Sequence, residues 1–386
     1  MPRKLLYLVS EDWYFLSHRL PMARAAKKAG YEVHVATRIV DGGRQIQSED
    51  FILHPLDWHR GSINPLKVAT TVTTVRSLYR RLRPDIAHHV AFAPAVIGSI
   101  AALGLPIAKL NALAGLGFVF TSSKAKARLL RPLASRLLSF LFTRPRTVVL
   151  VQNLDDKALM TRLGIAESRI ALISGSGVDV EHLTPLPEPD APFTVGFVGR
   201  LLYDKGVETL VQAQEILTKR GVKVRCLLAG TPDASNPATI SEKTLRRWQG
   251  HANLTLLGHV EDIRTVWAQS HVAVLPSRRE GLPKSLLEAA ACGRALIASD
   301  VPGCREIARP DVTGLLVPPD DPAALADAIE RLMKDHALRL RLGAAARQTV
   351  VAEFSSGDVG AQIVRLYAQM LADSPAPQLV VNETAS

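Results

Sequence analysis

Apolar positions in this chain come in short continuous runs separated by longer stretches of mixed composition. The runs at 5–9, 31–36, 85–89 and 147–151 have strand length, and those at 16–29, 65–82 and 155–163 have helical length and spacing. Gly30 stands where a helix C-cap is expected, just before the second run. A strand that is apolar throughout, with no in-out alternation, is buried on both faces. Strands of this kind alternating with helices predict a parallel sheet covered on each side. The pattern breaks at 182–192, where Pro185, Pro187, Pro189 and Pro192 make a linker. It then resumes, with strands at 193–198, 223–229, 254–257 and 272–275 and a helix at 207–220. The expected fold class is α/β, with two doubly wound Rossmann-like domains facing a cleft. The boundaries are 1–183 for the first domain, 184–192 for the linker and 193–357 for the second domain. A helix follows over 358–373 and a polar tail over 374–386. The helix places Val359, Ile363, Leu366, Tyr367 and Met370 at amphipathic spacing.

A length of 386 residues allows two domains with a core each, and a hydrophobic content of 47% excludes global disorder. The uncharged run 90–108 is long enough to be considered as a membrane span, but Pro94, Gly98, Gly104 and Pro106 break it. A buried strand, loop and helix are expected there, and no transmembrane segment. The first ten residues read as a buried strand rather than a signal peptide. Cys226, Cys292 and Cys304 are scattered without ligand-like spacing, which implies neither a disulfide framework nor a zinc site and suits a reducing cytoplasm.

The net charge of +11 is unevenly placed: residues 1–190 carry 25 Lys and Arg against 15 Asp and Glu, leaving 22 against 21 for the remainder. A basic first half points to anionic lipid or a phosphorylated acceptor. No nucleic-acid-binding motif accompanies the charge. The excess gathers in 124–146, with seven basic residues and no acid, while Leu129, Leu133, Leu137 and Leu141 repeat every four positions. That pattern suits a helix lying on an anionic membrane, and equally a domain helix whose stripe packs inward; both hold if only the basic flanks touch lipid.

The segment Arg279-Glu280-Gly281-Leu282-Pro283-Lys284-Ser285-Leu286-Leu287-Glu288 carries the chemistry. Pro283 suits the first helical position, which leaves Glu280 in the preceding loop and Glu288 about a turn and a half into the helix. The helix N-terminus between them offers unpaired N–H groups and a positive dipole end, a setting for phosphate. Carboxylates on either side accept hydrogen bonds from sugar hydroxyls.

This segment resembles the E-x7-E signature of family-4 retaining glycosyltransferases of GT-B architecture. Three further segments resemble the family in the same order: Gly199-Arg200-Leu201-Leu202-Tyr203-Asp204-Lys205-Gly206, Asp300-Val301-Pro302-Gly303-Cys304-Arg305-Glu306 and Gly314-Leu315-Leu316-Val317-Pro318-Pro319. The resemblance implies a nucleotide-sugar donor, most simply UDP-linked, held in the second domain. Gly199, Arg200, Lys205, Glu280, Gly281, Leu282, Pro283, Lys284 and Glu288 would be donor-binding. Glu288 would take the ribose and Glu280 the transferred sugar. Arg200, Lys205 and Glu280 would act in catalysis, the two cations on the departing diphosphate. The chain offers no divalent-metal signature, and no cofactor or metal is expected. The terminal helix is expected to cross back onto the first domain.

In the first half, Asn111-Ala112-Leu113-Ala114-Gly115-Leu116-Gly117 resembles a glycine loop facing the donor, with Gly115 a donor contact. Many relatives place a His immediately before the first of these glycines; this chain has Ala114. His88 and His89 follow a strand nearby and are alternative contacts, with a structural role at the strand end the more frequent reading of such a pair. The first loop, Ser10-Glu11-Asp12-Trp13-Tyr14-Phe15-Leu16-Ser17-His18-Arg19, is similar to that of bacterial members that lengthen undecaprenyl-diphosphate-linked oligosaccharides. Trp13, His18 and Arg19 are accordingly acceptor candidates, with core packing the other reading of Trp13. The expected activity is retaining transfer of a hexose or N-acetylhexosamine to a lipid-diphosphate-linked saccharide in surface-glycan assembly. The expected location is the cytoplasm, peripheral on the inner face of the plasma membrane. A sugar-nucleotide epimerase of the same architecture, a soluble acceptor and a binding protein without catalysis are the alternatives.

Overall fold

A computed structural model describes residues 2–58, 64–113, 125–190, 192–234 and 236–372, giving over 125–131 the course of the helix alone. The chain divides into two compact units. One comprises Met1–Ser176 and the chain from Gly357 onward, the other Gly177–Ser356.

The first unit is built on seven strands: β1 (Lys4–Glu11), β2 (Glu32–Arg38), β3 (Ile52–Pro55), β4 (Ile86–Val90), β5 (Ala108–Ala112), β6 (Thr147–Val151) and β7 (Ile170–Leu172). They lie in the order β3-β2-β1-β4-β5-β6-β7, and every pairing is parallel. Leu5 stands opposite Val33 on one side and Ile86 on the other. Strand order therefore reverses between β1 and β4, and the carboxyl ends of those two strands flank the crevice where such sheets take ligands.

The second unit repeats the plan with β8 (Thr194–Val198), β9 (Arg225–Ala229), β10 (Leu254–Gly258), β11 (Val272–Leu275), β12 (Ala295–Ser299) and β13 (Gly314–Val317). The order is β10-β9-β8-β11-β12-β13, again parallel. Its reversal lies between β8 and β11, where Val272 stands opposite Val195. Val195, Phe197, Leu227, Leu228, Ala273 and Ile297 are buried in these central strands, as continuous apolar runs require. The expected pair of doubly wound α/β domains is present.

Tertiary structure departs from the sequence pattern in two instructive places. The helix expected over 16–29 is two helices, Asp12–His18 and Leu20–Lys28, parted at Arg19 (φ −126°, ψ −12°). Pro21 has no N–H for the helical ladder and sits at the start of the second helix, so apolar spacing continues while hydrogen bonding restarts. Strand β5 contains Lys109 and Asn111, polar residues that mask a buried strand. Each finds a partner elsewhere in the fold: Lys109 Nζ donates to the Pro145 carbonyl at 2.9 Å, and the Asn111 carbonyl oxygen lies 2.6 Å from His89 Nδ1. The uncharged run 90–108 resolves into the end of β4, the helix Phe92–Ala101 and the first residue of β5. Among the described residues no helix is long and apolar enough to cross a membrane.

The helix Ser356–Leu371 buries Val359, Ile363, Leu366 and Tyr367 in the core that includes Leu5, Tyr7, Val9 and Phe15. The Tyr367 hydroxyl lies 2.9 Å from the Tyr7 hydroxyl and 2.6 Å from His88 Nδ1, joining the first strand, the fourth strand and the terminal helix. Burial holds the His88 pKa well below its ordinary value of 6.5 and pushes His89 down to about 4. Both imidazoles are therefore neutral in the fold.

Two outcomes are expected. Tyr367→Phe removes a hydroxyl shared by two buried groups and should lower the unfolding free energy by about 1–3 kcal/mol in urea titrations; an unchanged midpoint would show that the bridge contributes nothing. The folded pKa values of His88 and His89 lie below the unfolded value, so the unfolded chain binds more protons in acid. Their stabilisation is complete above pH 6.5 and is lost as pH falls toward 4. Denaturation midpoints should drop from pH 7 to pH 5, and His89→Gln should flatten that slope.

Candidate active site

In the second unit, both strands that flank the reversal deliver charged loops. Beyond β8 the chain runs Gly199-Arg200-Leu201-Leu202, a turn at Tyr203–Lys205, then the helix Val207–Lys219. Beyond β11 it runs Pro276-Ser277-Arg278-Arg279-Glu280-Gly281-Leu282-Pro283 into the helix Lys284–Ala291. The two loops are pressed together. Gly206 has φ +68°, and a Cβ there would lie 1.9 Å from the Pro276 carbonyl oxygen, so only glycine fits. The Arg278 amide donates to the Asp204 carbonyl at 2.9 Å.

That contact brings Lys205 and Glu280 together. Lys205 Nζ donates to Glu280 Oε1 at 2.6 Å, and Ser277 Oγ donates to the same oxygen at 2.6 Å. Glu280 is 8% exposed, and among the described residues its Oε2 takes no hydrogen bond. One carboxylate oxygen is thus fixed by a cation and a hydroxyl. Glu288 sits on the fifth residue of its helix, 15% exposed, with Oε1 at 3.2 Å from Lys284 Nζ. Burial raises its pKa and the Lys284 charge opposes that rise. Pro283 is the N-cap residue rather than the first helical one, and no side chain caps this helix, so its first amides keep their dipole end open. Arg200 Nη1 donates to Asp233 Oδ2 at 2.6 Å.

The four residues Arg200, Lys205, Glu280 and Glu288 therefore lie on the two loops and the helix beyond β8 and β11, with Gly199, Gly281 and Leu282 between them. Asp233 and Ser277 were not singled out from the sequence. A Ser three positions before Glu280 and an Asp beyond β9 have no distinctive spacing; only the fold brings them to Glu280 and Arg200. Cys304, also near this charge, is buried, and burial with the Glu280 carboxylate raises its thiol well above the usual range, keeping it neutral.

In the first unit, Asp12 is fully buried and accepts from the amides of Val40 at 2.7 Å and Gly42 at 2.8 Å, tying the first loop to the segment beyond β2. Trp13 Nε1 donates to Glu11 Oε2 at 2.5 Å, and Tyr14 stacks on His18 with ring centroids 4.3 Å apart. Trp13, Tyr14 and His18 are half-buried and keep some open surface. The other acceptor candidates lie in the interior. Arg19 is 1% exposed, and His88 and His89 are fully buried on the central strand β4. His88 is bonded to Tyr367, and His89 to Asn111 and, at 2.8 Å, to the Tyr79 hydroxyl. All three side chains are buried in this fold. Gly115 and Ala114 lie outside the described residues.

The basic segment does form a helix, Ala125–Phe142, with Pro132 inside it. Its leucine stripe is divided: Leu138 and Leu141 are buried, while Leu133, Leu137 and Phe140 are 68%, 40% and 48% exposed. Lys124 and the side chains of Lys126, Arg128, Leu129 and Arg131 lie outside the described residues.

Comparison with known proteins agrees with this geometry. Residues 4–152 match a family model described as glycosyl transferase 4-like, and residues 192–335 match one described as glycosyl transferases group 1. The chain is 26% identical over 379 residues to an N,N'-diacetylbacillosaminyl-diphospho-undecaprenol alpha-1,3-N-acetylgalactosaminyltransferase of Campylobacter jejuni, covering 92% of this chain and 98% of that one. It is 31% identical to the capsular polysaccharide biosynthesis glycosyltransferase CapM of Staphylococcus aureus over 47% of each chain. In fold it is similar to sucrose-phosphate synthase from Thermosynechococcus elongatus, with a TM-score of 0.81 and 22% identity over 96% of this chain and 100% of that one. It is also similar to Anabaena HepE in complex with UDP and glucose, with a TM-score of 0.76 and 18% identity over 95% and 99%. With a 4-like domain over its first half, a group 1 domain over its second and two parallel doubly wound sheets, the chain belongs to the glycosyltransferases of GT-B fold.

Proposed function

We propose that this glycosyltransferase moves a hexose or N-acetylhexosamine from a UDP-sugar to a lipid-diphosphate-linked saccharide, with retention of anomeric configuration. The observation that carries the donor half is the placement of Arg200, Lys205 and Glu280 on loops, and of Glu288 on the helix, beyond the two strands flanking the reversal in the second sheet. The diphosphate lies against Arg200, Lys205 and the open N-terminus of the helix Lys284–Ala291. Glu288 accepts from the ribose hydroxyls, and Glu280 Oε2 accepts from the transferred sugar. UDP is the donor nucleotide that fits a fold shared with a protein solved with UDP. A lipid-diphosphate acceptor follows the relative that matches nearly the whole chain.

The protein then contributes by positioning and by stabilising the departing diphosphate with fixed positive charge. When the glycosidic bond to the sugar breaks, charge grows on the β-phosphate oxygens. Lys205, held in place by Glu280, and the guanidinium of Arg200 meet that charge without reorganising. This division of labour requires no metal ion. Among the described residues no group of three or more His, Cys, Asp or Glu is arranged to hold one.

The acceptor half draws on the first unit. Trp13 and His18 remain as surface residues beyond β1. The exposed Leu133, Leu137 and Phe140, with Arg136 exposed among them, form an apolar strip on a basic helix. Such a strip suits an anionic membrane surface and supports a peripheral position on the inner face of the plasma membrane, beside a lipid-linked acceptor.

Lys205→Ala and Glu288→Ala should each reduce transfer or donor affinity about tenfold to about a hundredfold, since a charge-assisted hydrogen bond contributes roughly 1.5–3 kcal/mol. Mass of the product from a UDP-sugar panel and a lipid-diphosphate acceptor is the readout, with thermal melts to confirm folding. Near-normal kinetics would remove that residue from the site. Activity should survive chelation; loss with EDTA and recovery with magnesium or manganese would overturn the metal-free assignment.

For the membrane, replacing Leu133, Leu137 and Phe140 with Gln should release the protein from vesicles rich in anionic lipid. Binding of the native protein should weaken as salt rises, because screening shortens the reach of charge to about 8–10 Å at ordinary ionic strength. Equal binding by both proteins would return this helix to an ordinary role in the domain.

A further inference from the structure

The chain beyond β9, over 231–234 and 236–240, is zipped onto the phosphate loop that follows β8. Leu201 N donates to Thr231 O at 3.0 Å, Tyr203 N to Ala238 O at 2.8 Å and Ile240 N to Leu201 O at 3.0 Å, with Leu202 and Thr239 bridged in antiparallel fashion. Ile240 is 1% exposed and anchors the far end in the core. At the near end Gly230 has φ +142°, and a Cβ there would meet the Gly199 carbonyl oxygen at 1.9 Å, so the two backbones touch. Within the loop, the Asp233 amide donates to Thr239 Oγ1 at 2.9 Å, the Asn236 amide to the Asp233 carbonyl at 2.9 Å and the Ala238 amide to Asn236 Oδ1 at 2.9 Å. The position of Asp233 is thus set relative to Arg200 before any ligand arrives.

We infer that Asp233 is a positioning residue for the donor diphosphate: its carboxylate holds the Arg200 guanidinium in the orientation that meets the phosphate. This rests on the reading of Arg200 as a diphosphate ligand. The pair spans 2.6 Å, with Asp233 15% and Arg200 37% exposed. With its arginine end partly open to water, such a pair contributes only modestly to stability. A carboxylate beside a phosphate-binding cation also weakens the attraction for an anion, a cost that simple charge complementarity would avoid. Orientation offsets it. A guanidinium carries five N–H donors in a rigid fork, so one edge can rest on Asp233 while another serves a phosphate oxygen. A long arginine released from that anchor would have to be ordered by each donor molecule as it binds.

The test is a double-mutant cycle read by the Kd of UDP in titration calorimetry on the full chain, with thermal melts alongside. Asp233→Ala should weaken UDP binding about tenfold, and Asp233→Asn, which keeps an acceptor, should fall between it and the native protein. Arg200→Ala should weaken binding by itself. In that background Asp233→Ala should add less than about twofold, because the group it positions is gone. Unchanged or tighter UDP binding by Asp233→Ala, with Arg200→Ala impaired, overturns the inference alone and makes Asp233 a competitor of the phosphate. A full tenfold loss from Asp233→Ala in the Arg200→Ala background also overturns it, since Asp233 would then act on the loop and not through Arg200. Native UDP affinity in Arg200→Ala overturns the donor-loop reading and this assignment with it. If Asp233→Ala fails to fold, the Asp233→Asn arm of the cycle decides by the same criteria.

Discussion

The donor-side geometry depends on a steric constraint: two loops beyond neighbouring strands pass so close that a side chain between them has no room. Gly206 lies against the Pro276 carbonyl, and Gly230 against the Gly199 carbonyl. These approaches lock the loop beyond β8 to those beyond β11 and β9. Lys205 then reaches Glu280, and Arg200 reaches Asp233, because their backbones are already held at the right separation. Most enclosed sheets of this order have a crevice at the reversal; here backbone contact determines which side chains line it.

The second feature of the site is that its cations are paired in advance. Lys205 rests on Glu280, Lys284 on Glu288 and Arg200 on Asp233. Three partly exposed ion pairs add little to stability, but together they decide where positive charge stands. Glu280 spends one oxygen on both Lys205 and Ser277. A phosphate entering this setting meets charge whose orientation has been settled by neighbours, which is the condition for electrostatic stabilisation without reorganisation.

The first unit is organised on a different principle. Its central strand β4 carries two neutral histidines into the interior, where the Tyr79 hydroxyl and the Asn111 carbonyl oxygen hold both ring nitrogens of His89 and the Tyr367 hydroxyl meets His88 Nδ1. A buried polar network of this kind specifies one arrangement of the elements that share it. Tyr367 comes from the far end of the chain, so the terminal helix is bound into this unit by a hydrogen-bonded contact as well as by apolar packing.

Local sequence was enough for the architecture. Continuous apolar runs at strand length, spaced by helices, dictate parallel sheets with both faces covered, and the motif around Glu280 and Glu288 placed its loop and helix correctly because Pro283 and the apolar spacing act over a few residues. Polar strands were illegible: Lys109 and Asn111 conceal β5, since their partners lie in distant segments. The break at Arg19 was hidden because apolar periodicity runs on through a hydrogen-bond interruption. From the sequence His88 and His89 read as strand-end contacts or as structural residues and Arg19 as an acceptor contact; packing around β4 and around the helix junction buries all three. Asp233 and Ser277 carry no spacing signal at all. Residue type and period determined which elements form and which charged groups stand on the loops beyond them; the packing of loops from separate strands alone decided which charges meet.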